Sequence, residues 1–433
     1  MAPPPPFSNA PPGSTRFIVV VPTRERCDTL EWTLQTCVMQ EYPNCEIVVS
    51  DNASTDDTQR VVSMFRDPRI RYIQTGQRLS MARNWEFALR HAGDGYITFL
   101  GDDDGLMPNA LSELDHLLRS RGMPEAVAWR KAEYVWPQFW LEALRNYLSV
   151  PLGTHIERRQ ARAMLEQMAT WQFTYLQLPC LYNSFVARSA IQRATDGDGV
   201  FFHSCIPDVY SAIALASVLD EYDYSHRPYT INGASKHSTG GAHFLQGNDA
   251  PSASKFLAEN DIPFHPELAM APCAPIMAAE SFLQVRDHLP QRRHLPAIDL
   301  SAMLAAAASI ATGTQPQVYK SIAEAIHIIG EKNRLSELAE QLLARYPNQP
   351  ATHSELVTGY RLPVQTLFLF ANELGVANIY DAAIACKTIM ALSQDNPFGP
   401  RNLLQTNLSL APVYWERAKA RLQRRLALRP SKR

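Results

Sequence analysis

The stretch "GYITFLGDDDGLMPNAL", residues 95–111, ends a short apolar run, Ile97 to Leu100, in three consecutive carboxylates, Asp102, Asp103 and Asp104. Adjacent like charges repel and gain nothing from burial, so acids at the end of a core strand call for a partner. A divalent cation supplies one. Mg2+ or Mn2+ prefers oxygen ligands, usually one or two carboxylates completed by water and substrate phosphate. An EF-hand loop is the nearest rival, but its alternating acids and closing Glu are absent. A solvated acidic turn is the plainest alternative.

Two further polar clusters stand nearby in the chain. "PTRER", residues 22–26, offers Pro22, Thr23, Arg24 and Glu25, and "DNASTDD", residues 51–57, offers Asp51 and Asn52. A carboxylate such as Asp51 accepts hydrogen bonds from a ligand's N–H or hydroxyl groups. It could instead cap the next helix, a post that Ser54 fits better. Arg83 is a phosphate partner or a solvated helix residue on sequence alone.

The elements that must position these residues are legible from periodicity. "FIVVV" (17–21), "EIVVS" (46–50), "IRYIQ" (70–74) and "YITFL" (96–100) are β-branched and aromatic runs that predict strands. Between them lie helical patterns. Asp28 with Glu31, and Ser54 with Asp57, read as capping boxes, and Ser80 precedes "MARNWEFALRHA". Near-continuous apolar strands alternating with helices imply a mostly parallel sheet covered on both faces. Ligands of such sheets bind beyond the carboxyl ends of the strands, where all three polar clusters fall.

From Ala126 the pattern loosens. "AVAWR" reads as a strand, while "WPQFWLEALRNYL" and "IERRQARAMLEQMATWQF" read as helical. "CLYNSFVARSAIQRA" reads as strand into helix, and "DVYSAIALASVLDEY" (208–222) as a helix opened by Asp208. "YTINGASKHSTGGAH" (229–243) is a short strand and a glycine-rich loop, and composition shifts near residues 248–254. Beyond that the chain reads as almost entirely helical. The expected domains are a disordered Pro-rich leader at 1–15, an α/β domain at 16–250 with halves 16–125 and 126–250, and a helical domain at 251–433.

The bulk numbers exclude several classes. A formal charge of −2, from 41 basic and 43 acidic residues, argues against a nucleic-acid partner. Seven scattered cysteines without CxxC spacing suit a reducing cytosol and provide no thiolate metal site. The leader has no apolar signal core, and no apolar run approaches the ~20 residues that span a bilayer. The end, "RAKARLQRRLALRPSKR", carries eight basic residues and no acid after Glu416. It reads as a solvated basic end or a peripheral contact with anionic lipid at the inner face of the membrane. The helical region reads as an oligomerisation or acceptor-docking module.

Residues 19–108 resemble the family-2 glycosyltransferases, enzymes of the GT-A fold that use nucleotide-diphosphate sugars. "VVVPTRER" is similar to the opening strand and turn at the nucleotide base. "IVVSDNASTDDT" resembles the segment whose acid reads base or ribose. "LSMARNWEFAL" resembles a helix start near the nucleotide, and "FLGDDDGLMP" the metal-binding DXD motif. The family's leading Asp is Gly101 here, so the resemblance assigns the motif to Asp102–Asp103–Asp104. It implies a GT-A domain followed by a mainly helical region, Mn2+ or Mg2+ as cofactor, a UDP-sugar donor, and a glycan or lipid-linked acceptor. Pro22, Thr23, Arg24, Glu25, Asp51, Asn52, Arg83, Asp102 and Asp103 would meet the donor. Asp102, Asp104 and His237 would meet the metal.

Inverting transfer also needs a carboxylate that takes the acceptor's proton. By the resemblance "HSCIPDVYSAIALA" occupies that place, with Asp208 as the base; a simple helix cap is the alternative. Asp196 and Asp198 in "TDGDGV" are rivals that read as a flexible turn. Lys236 would neutralise the leaving diphosphate. Two other classes share parts of this pattern. A nucleotidyltransferase would want a glycine-rich phosphate loop after the first strand, which "VPTRERCDT" lacks. A non-catalytic scaffold would have lost acids that this chain keeps.

Overall fold

The computed structural model describes residues 13–172, 174–238, 255–256, 258–349, 359–361 and 365–394. The basic C-terminal tail, the proline-rich start up to residue 12 and the glycine-rich residues 239–243 lie outside these.

Strands β1 (Phe17–Thr23), β2 (Cys45–Asp51), β3 (Ile70–Gln74) and β4 (Tyr96–Phe99) form where the apolar runs predict. They are parallel, in the order β3-β2-β1-β4. The chain therefore builds outward from β1 on one side and then returns to its other side. The reversal leaves a crevice between the carboxyl ends of β1 and β4, the usual ligand position in such sheets. Helices α1 (Cys27–Val38), α2 (Thr58–Met64) and α3 (Met81–His91) make the crossovers.

Beyond β4 the same sheet continues with β10 (Ser184–Ala187), β6 (Ala126–Trp129), β11 (Glu221–Ser225) and β9 (Ile156–Gln160), giving eight strands. Alternate strand residues enter different packing. Ile18, Val20, Ile97 and Phe99 join one core with Trp85 of α3 and Tyr210 and Ile213 of helix α7 (Pro207–Val218). Phe17 instead meets Tyr42, Tyr96 and Phe185.

A second sheet has the order β13-β14-β8-β7-β12-β5. Its strands are β5 (Gly105–Leu106), β7 (Ala132–Val135), β8 (Tyr147–Pro151), β12 (Thr230–Ala234), β13 (Gly359–Arg361) and β14 (Thr366–Phe370). Two expectations are corrected by the strands of these sheets. "WPQFWLEALRNYL" is not a helix: beyond the end of β7 it holds one 3-10 turn, Glu142–Leu144, before β8 begins at Tyr147. Trp136 is spent instead on a hydrogen bond, its Nε1 donating to the Asp103 carbonyl at 3.0 Å.

"IERRQ" is likewise β9, not the first turns of a helix, which begins as α5 at Ala161–Ala169. Arg158 pairs across the strands with Asp223, which is fully buried, through a 2.9 Å ion pair. The region after residue 251 is mainly helical, as expected, and within it "TLFLF" pairs with β8 as β14. Five apolar or β-branched residues gain more from a ladder than from a helix too short to bury them.

Helices α4 (Ala110–Ser120), α6 (Arg188–Arg193), α8 (Ala274–His288), α9 (Leu300–Ala311), α10 (Pro316–Lys332), α11 (Ser336–Arg345) and α12 (Ile379–Gln394) complete the described elements. Helix α8 is buried from Pro275 to Val285 because it serves two cores. Ala278, Phe282, Val285 and Leu289 face the sheet's core, while Ile276, Ala279 and Leu283 join Met303, Leu304, Ile322 and Ile326 of the helical layer. Residues up to Ala385 form one compact unit, whose end falls within α12. No described helix is long and apolar enough to cross a membrane, and all seven cysteines are free.

Candidate active site

The crevice beside β1 is closed by contacts between its loops. Thr23 Oγ1 donates to Asp102 Oδ2 at 2.8 Å, and Arg26 Nη1 donates to Asp102 Oδ1 at 2.8 Å. Pro22 and Thr23 end β1, Arg24 follows, and Glu25 has φ of 54°. Its N–H donates to Ser54 Oγ at 2.9 Å, while its carboxylate accepts from the Thr55 N–H at 3.0 Å. Ser54 thus ties two loops together and does not cap α2, whose N-cap is Asp57 without a side-chain bond. The Asp28–Glu31 box is also unformed: α1 starts one residue earlier, and Asp28 is spent elsewhere. Ser80 does cap α3, accepting from the Arg83 N–H at 3.3 Å.

Asp51 is buried at the end of β2. Its Oδ1 accepts from the Ser54 N–H at 3.0 Å, and its Oδ2 from the Tyr72 hydroxyl and from Gln74. Asn52 is equally buried, and its amide brackets Leu79, accepting from the Leu79 N–H and donating to its carbonyl, both at 2.8 Å. That pair of bonds holds the loop leading to α3. Arg24 and Arg78 both pair with Glu259, and Arg83 with Asp261 at 3.0 Å. Ser80 also donates to Asp261 at 2.6 Å, so residues 259–261 lie along this arginine-rich edge.

The three acids are all buried, at 2%, 5% and 1% exposure for Asp102, Asp103 and Asp104. Each has a different task. Asp104 turns back into the protein: Oδ2 accepts from the Gly101 N–H at 3.0 Å and Oδ1 from the Gly233 N–H at 2.6 Å, and the Tyr182 hydroxyl bonds it as well. Asp103 Oδ2 accepts from Ser235 Oγ at 2.6 Å and Ser238 Oγ at 2.9 Å. Its Oδ1 has no hydrogen-bond partner among the described residues. Asp102 takes Thr23 and Arg26.

Gly101 and Gly233 make this packing feasible. A Cβ at 101 would lie 2.7 Å from Asp104 Oδ2 and 2.8 Å from the Tyr182 hydroxyl, and one at 233 would lie 1.9 Å from the Asp103 carbonyl oxygen. The departure at Gly101 therefore has a cause in the fold. Residue 101 has no room for an acid because Asp104 and Tyr182 fill that space.

Three buried carboxylates gathered around one arginine leave negative charge uncompensated. Burial, and then the neighbouring Asp103 charge, push Asp104 up to about 7. Burial likewise raises Asp102, opposed by Arg26. Burial opposes the charge of Arg26, yet Asp102 and Asp103 hold it firmly protonated. This charge deficit among the described residues, with Asp103 Oδ1 accepting no hydrogen bond from them, fits a hard divalent cation. His237 stands differently from expectation, with its Nε2 3.0 Å from Asp28 Oδ1 and the adjacent Lys236 Nζ 2.8 Å from Asp28 Oδ2. Only the His237 backbone reaches the acid cluster's partners, its carbonyl accepting from Arg26 at 2.6 Å.

Asp208 is the second residue of α7, whose N-cap is Ile206. Its Oδ2 accepts from the Tyr175 hydroxyl at 3.0 Å, and burial raises its pKa. Lys131 lies within electrostatic reach and opposes that rise. Tyr182 connects the two halves of the site, since its hydroxyl feels Asp104, Asp103 and Asp208 together. Asp196 and Asp198 form the expected turn, Asp196 Oδ1 accepting from the Asp198 and Val200 N–H groups. Sequence reasoning missed Tyr175, Tyr182 and Lys131. None sits in a motif; the aromatic density of residues 171–182 is the one signal for the two tyrosines, and Lys131 has none.

Residues 18–122 match the family described as "Glycosyl transferase family 2". Over 102 residues the chain is 37% identical to the "GalNAc(5)-diNAcBac-PP-undecaprenol beta-1,3-glucosyltransferase" of Campylobacter jejuni, covering 23% of this chain and 33% of that one. Over 93 residues it is 32% identical to the "UDP-Glc:alpha-D-GlcNAc-diphosphoundecaprenol beta-1,3-glucosyltransferase WfaP" of Escherichia coli, covering 22% and 37%. The chain thus spans about a third of the length of these curated relatives. Among solved structures it is similar to S. aureus TarS in complex with UDP-GlcNAc, at 12% identity and a TM-score of 0.44, over 80% of this chain and 95% of that one.

Proposed function

We propose that this chain, whose residues 18–122 belong to the family-2 glycosyltransferases, transfers a sugar from a nucleotide-diphosphate donor, a UDP-sugar, to a hydroxyl acceptor in bacterial surface-glycan synthesis. The observation that carries the reading is the junction at the sheet's reversal. There the Thr23 and Arg26 side chains hold Asp102, and Tyr182 links the acids to Asp208. The two relatives are by name glucosyltransferases acting on undecaprenol diphosphate-linked sugars. That supports a lipid-linked acceptor, met at the inner face of the membrane by a protein of the cytoplasm.

In this reading Asp51 receives the base or ribose, with Tyr72 and Gln74 fixing its carboxylate. Asp103 and Asp102 hold Mn2+ or Mg2+, which when bound offsets the charge of the donor's diphosphate. Asp104 acts through Gly101, Gly233 and Tyr182, orienting the acid loop from behind. Arg26 favours the ionised form of Asp102 against the effect of its burial. Asp208 accepts the proton of the acceptor hydroxyl as that oxygen attacks the anomeric carbon and the diphosphate departs, inverting the configuration. Burial raises its pKa, which makes it a stronger base than an ordinary Asp carboxylate. Residues 16–250 would hold this chemistry and residues 251–433 would serve acceptor docking or self-association.

The test is donor hydrolysis and transfer by purified protein with a panel of nucleotide-diphosphate sugars, with Mn2+ and with EDTA. Metal-dependent release of UDP from one donor is expected. Release that is indifferent to EDTA, or equal for all donors and at the level of a heat-inactivated control, would sink the reading.

A further inference from the structure

We infer that His155, Glu157 and His226 form a site for a transition-metal dication of the zinc class, built from residues that take no part in the candidate active site.

The backbone brings them together. His155 precedes β9, the last strand of the larger sheet, and Glu157 lies two residues on, which places both on one face. His226 follows β11, and the register sets Ser225 opposite Ile156. The His226 N–H accordingly donates to the His155 carbonyl at 3.0 Å. The two imidazole rings stack 3.5 Å apart, and His226 Nε2 lies 3.2 Å from Glu157 Oε1.

One ligand atom from each residue falls within 4.8 Å of the others. Bonds of ~2.0–2.2 Å to a tetrahedral ion require those atoms to lie about 3.4 Å apart. The closure needed is at most about 1.4 Å, and His155 is exposed. Two imidazoles and a carboxylate are a set that suits zinc, whereas the all-oxygen set at Asp102 and Asp103 suits Mg2+ or Mn2+. The two sites would therefore select different ions.

The surroundings support ligation. Glu157 Oε1 accepts from Arg159, which orients the carboxylate from behind, and Oε2 has no hydrogen-bond partner among the described residues. Arg159 is itself held over the Tyr224 ring at 3.6 Å and by Gln177. Its charge opposes a cation, so binding will be reversible and not permanent. Burial and the neighbouring His155 lower the pKa of His226, favouring the neutral ring that a metal needs. A bound ion would fasten the start of β9 to the turn between β11 and β12. Strand β12 carries Gly233, the donor to Asp104, so the staple would steady one wall of the acid cluster.

The experiment uses the full chain without a polyhistidine tag, stripped of metal and titrated with Co2+ and then Zn2+. One equivalent of Co2+ with the visible absorption of a nitrogen-ligated tetrahedral site is expected, displaced by Zn2+ and accompanied by a rise in Tm. His155→Ala, and separately His226→Ala, should abolish the absorption, and Glu157→Gln should weaken binding by at least about tenfold. Asp103→Asn should leave it intact, which separates this site from the acid cluster and from any failure of the transferase reading. Absence of the cobalt bands in the unaltered protein, or bands that persist in both histidine variants, would overturn the proposal.

Discussion

The Tyr182 hydroxyl and Gly101 share one small space: a Cβ on residue 101 would lie 2.8 Å from that oxygen. The tyrosine reaches this point from the segment before β10, and its hydroxyl bonds Asp104. Gly101→Asp should therefore destabilise the fold by about 1–3 kcal/mol through overpacking and displace Asp104. Adding Tyr182→Phe removes the obstructing oxygen and should return part of that loss. Thermal unfolding of the two variants checks this. A double variant no more stable than Gly101→Asp alone would show that the obstruction is elsewhere.

Asp103 presents the carboxylate oxygen left without a hydrogen-bond partner among the described residues. Asp103→Asn should lose the stabilisation that UDP gives in the presence of Mn2+, and transfer should fall by on the order of 10²-fold or more. Ser235 and Ser238 can still bond the remaining carbonyl oxygen, so the fold should survive. Thermal shift with UDP, with and without Mn2+, reads the effect. Asp104→Asn is expected to lose activity through loop position, because both its oxygens already accept backbone N–H bonds.

Asp208→Asn keeps the shape of the first turn of α7 and should lower transfer by roughly 10²–10⁴-fold while donor binding persists. The pH profile carries the same information. Burial raises the carboxyl above the ordinary Asp range, so the base is deprotonated, and active, only above that raised value. Activity should rise with pH along an acidic limb, and Asp208→Asn should abolish that limb. A product that retains the donor's anomeric configuration would remove Asp208 from this role, and Asp198 would be the next residue to test.

Glu280 offers a stability test apart from the chemistry. It is 1% exposed on α8, bonded to Ser204 and Gln284, and burial pushes it up to about 7 from 4.5. Between those values the folded state holds a proton that the unfolded state has released. Stability attributable to this group is thus full below the unfolded value and is lost as pH rises through about 7. Relative to the natural chain, Glu280→Gln should gain stability from about pH 4.5 to 7, by a few kcal/mol at most. Denaturant unfolding at several pH values checks the slope; a difference independent of pH would contradict it.

The sequence by itself determined what depends on neighbours in the chain. Apolar runs of five residues made β1, β2, β3 and β4, and the alternation with helices sent "PTRER", "DNASTDD" and "GDDDG" to one edge. The ordered likeness of those segments to a family required no coordinates. Contacts across 70 or more residues decided the rest. Asp102 meets Thr23 and Arg26, Asp104 meets Gly233 and Tyr182, Arg83 meets Asp261, and His237 meets Asp28. Nothing local distinguishes Asp103, with an oxygen to spare, from Asp104, which has none. Strands β8 and β14 were hidden for the same reason. Each is stabilised by a partner more than 200 residues away in the chain, and a ladder that distant leaves no periodicity that either segment carries alone.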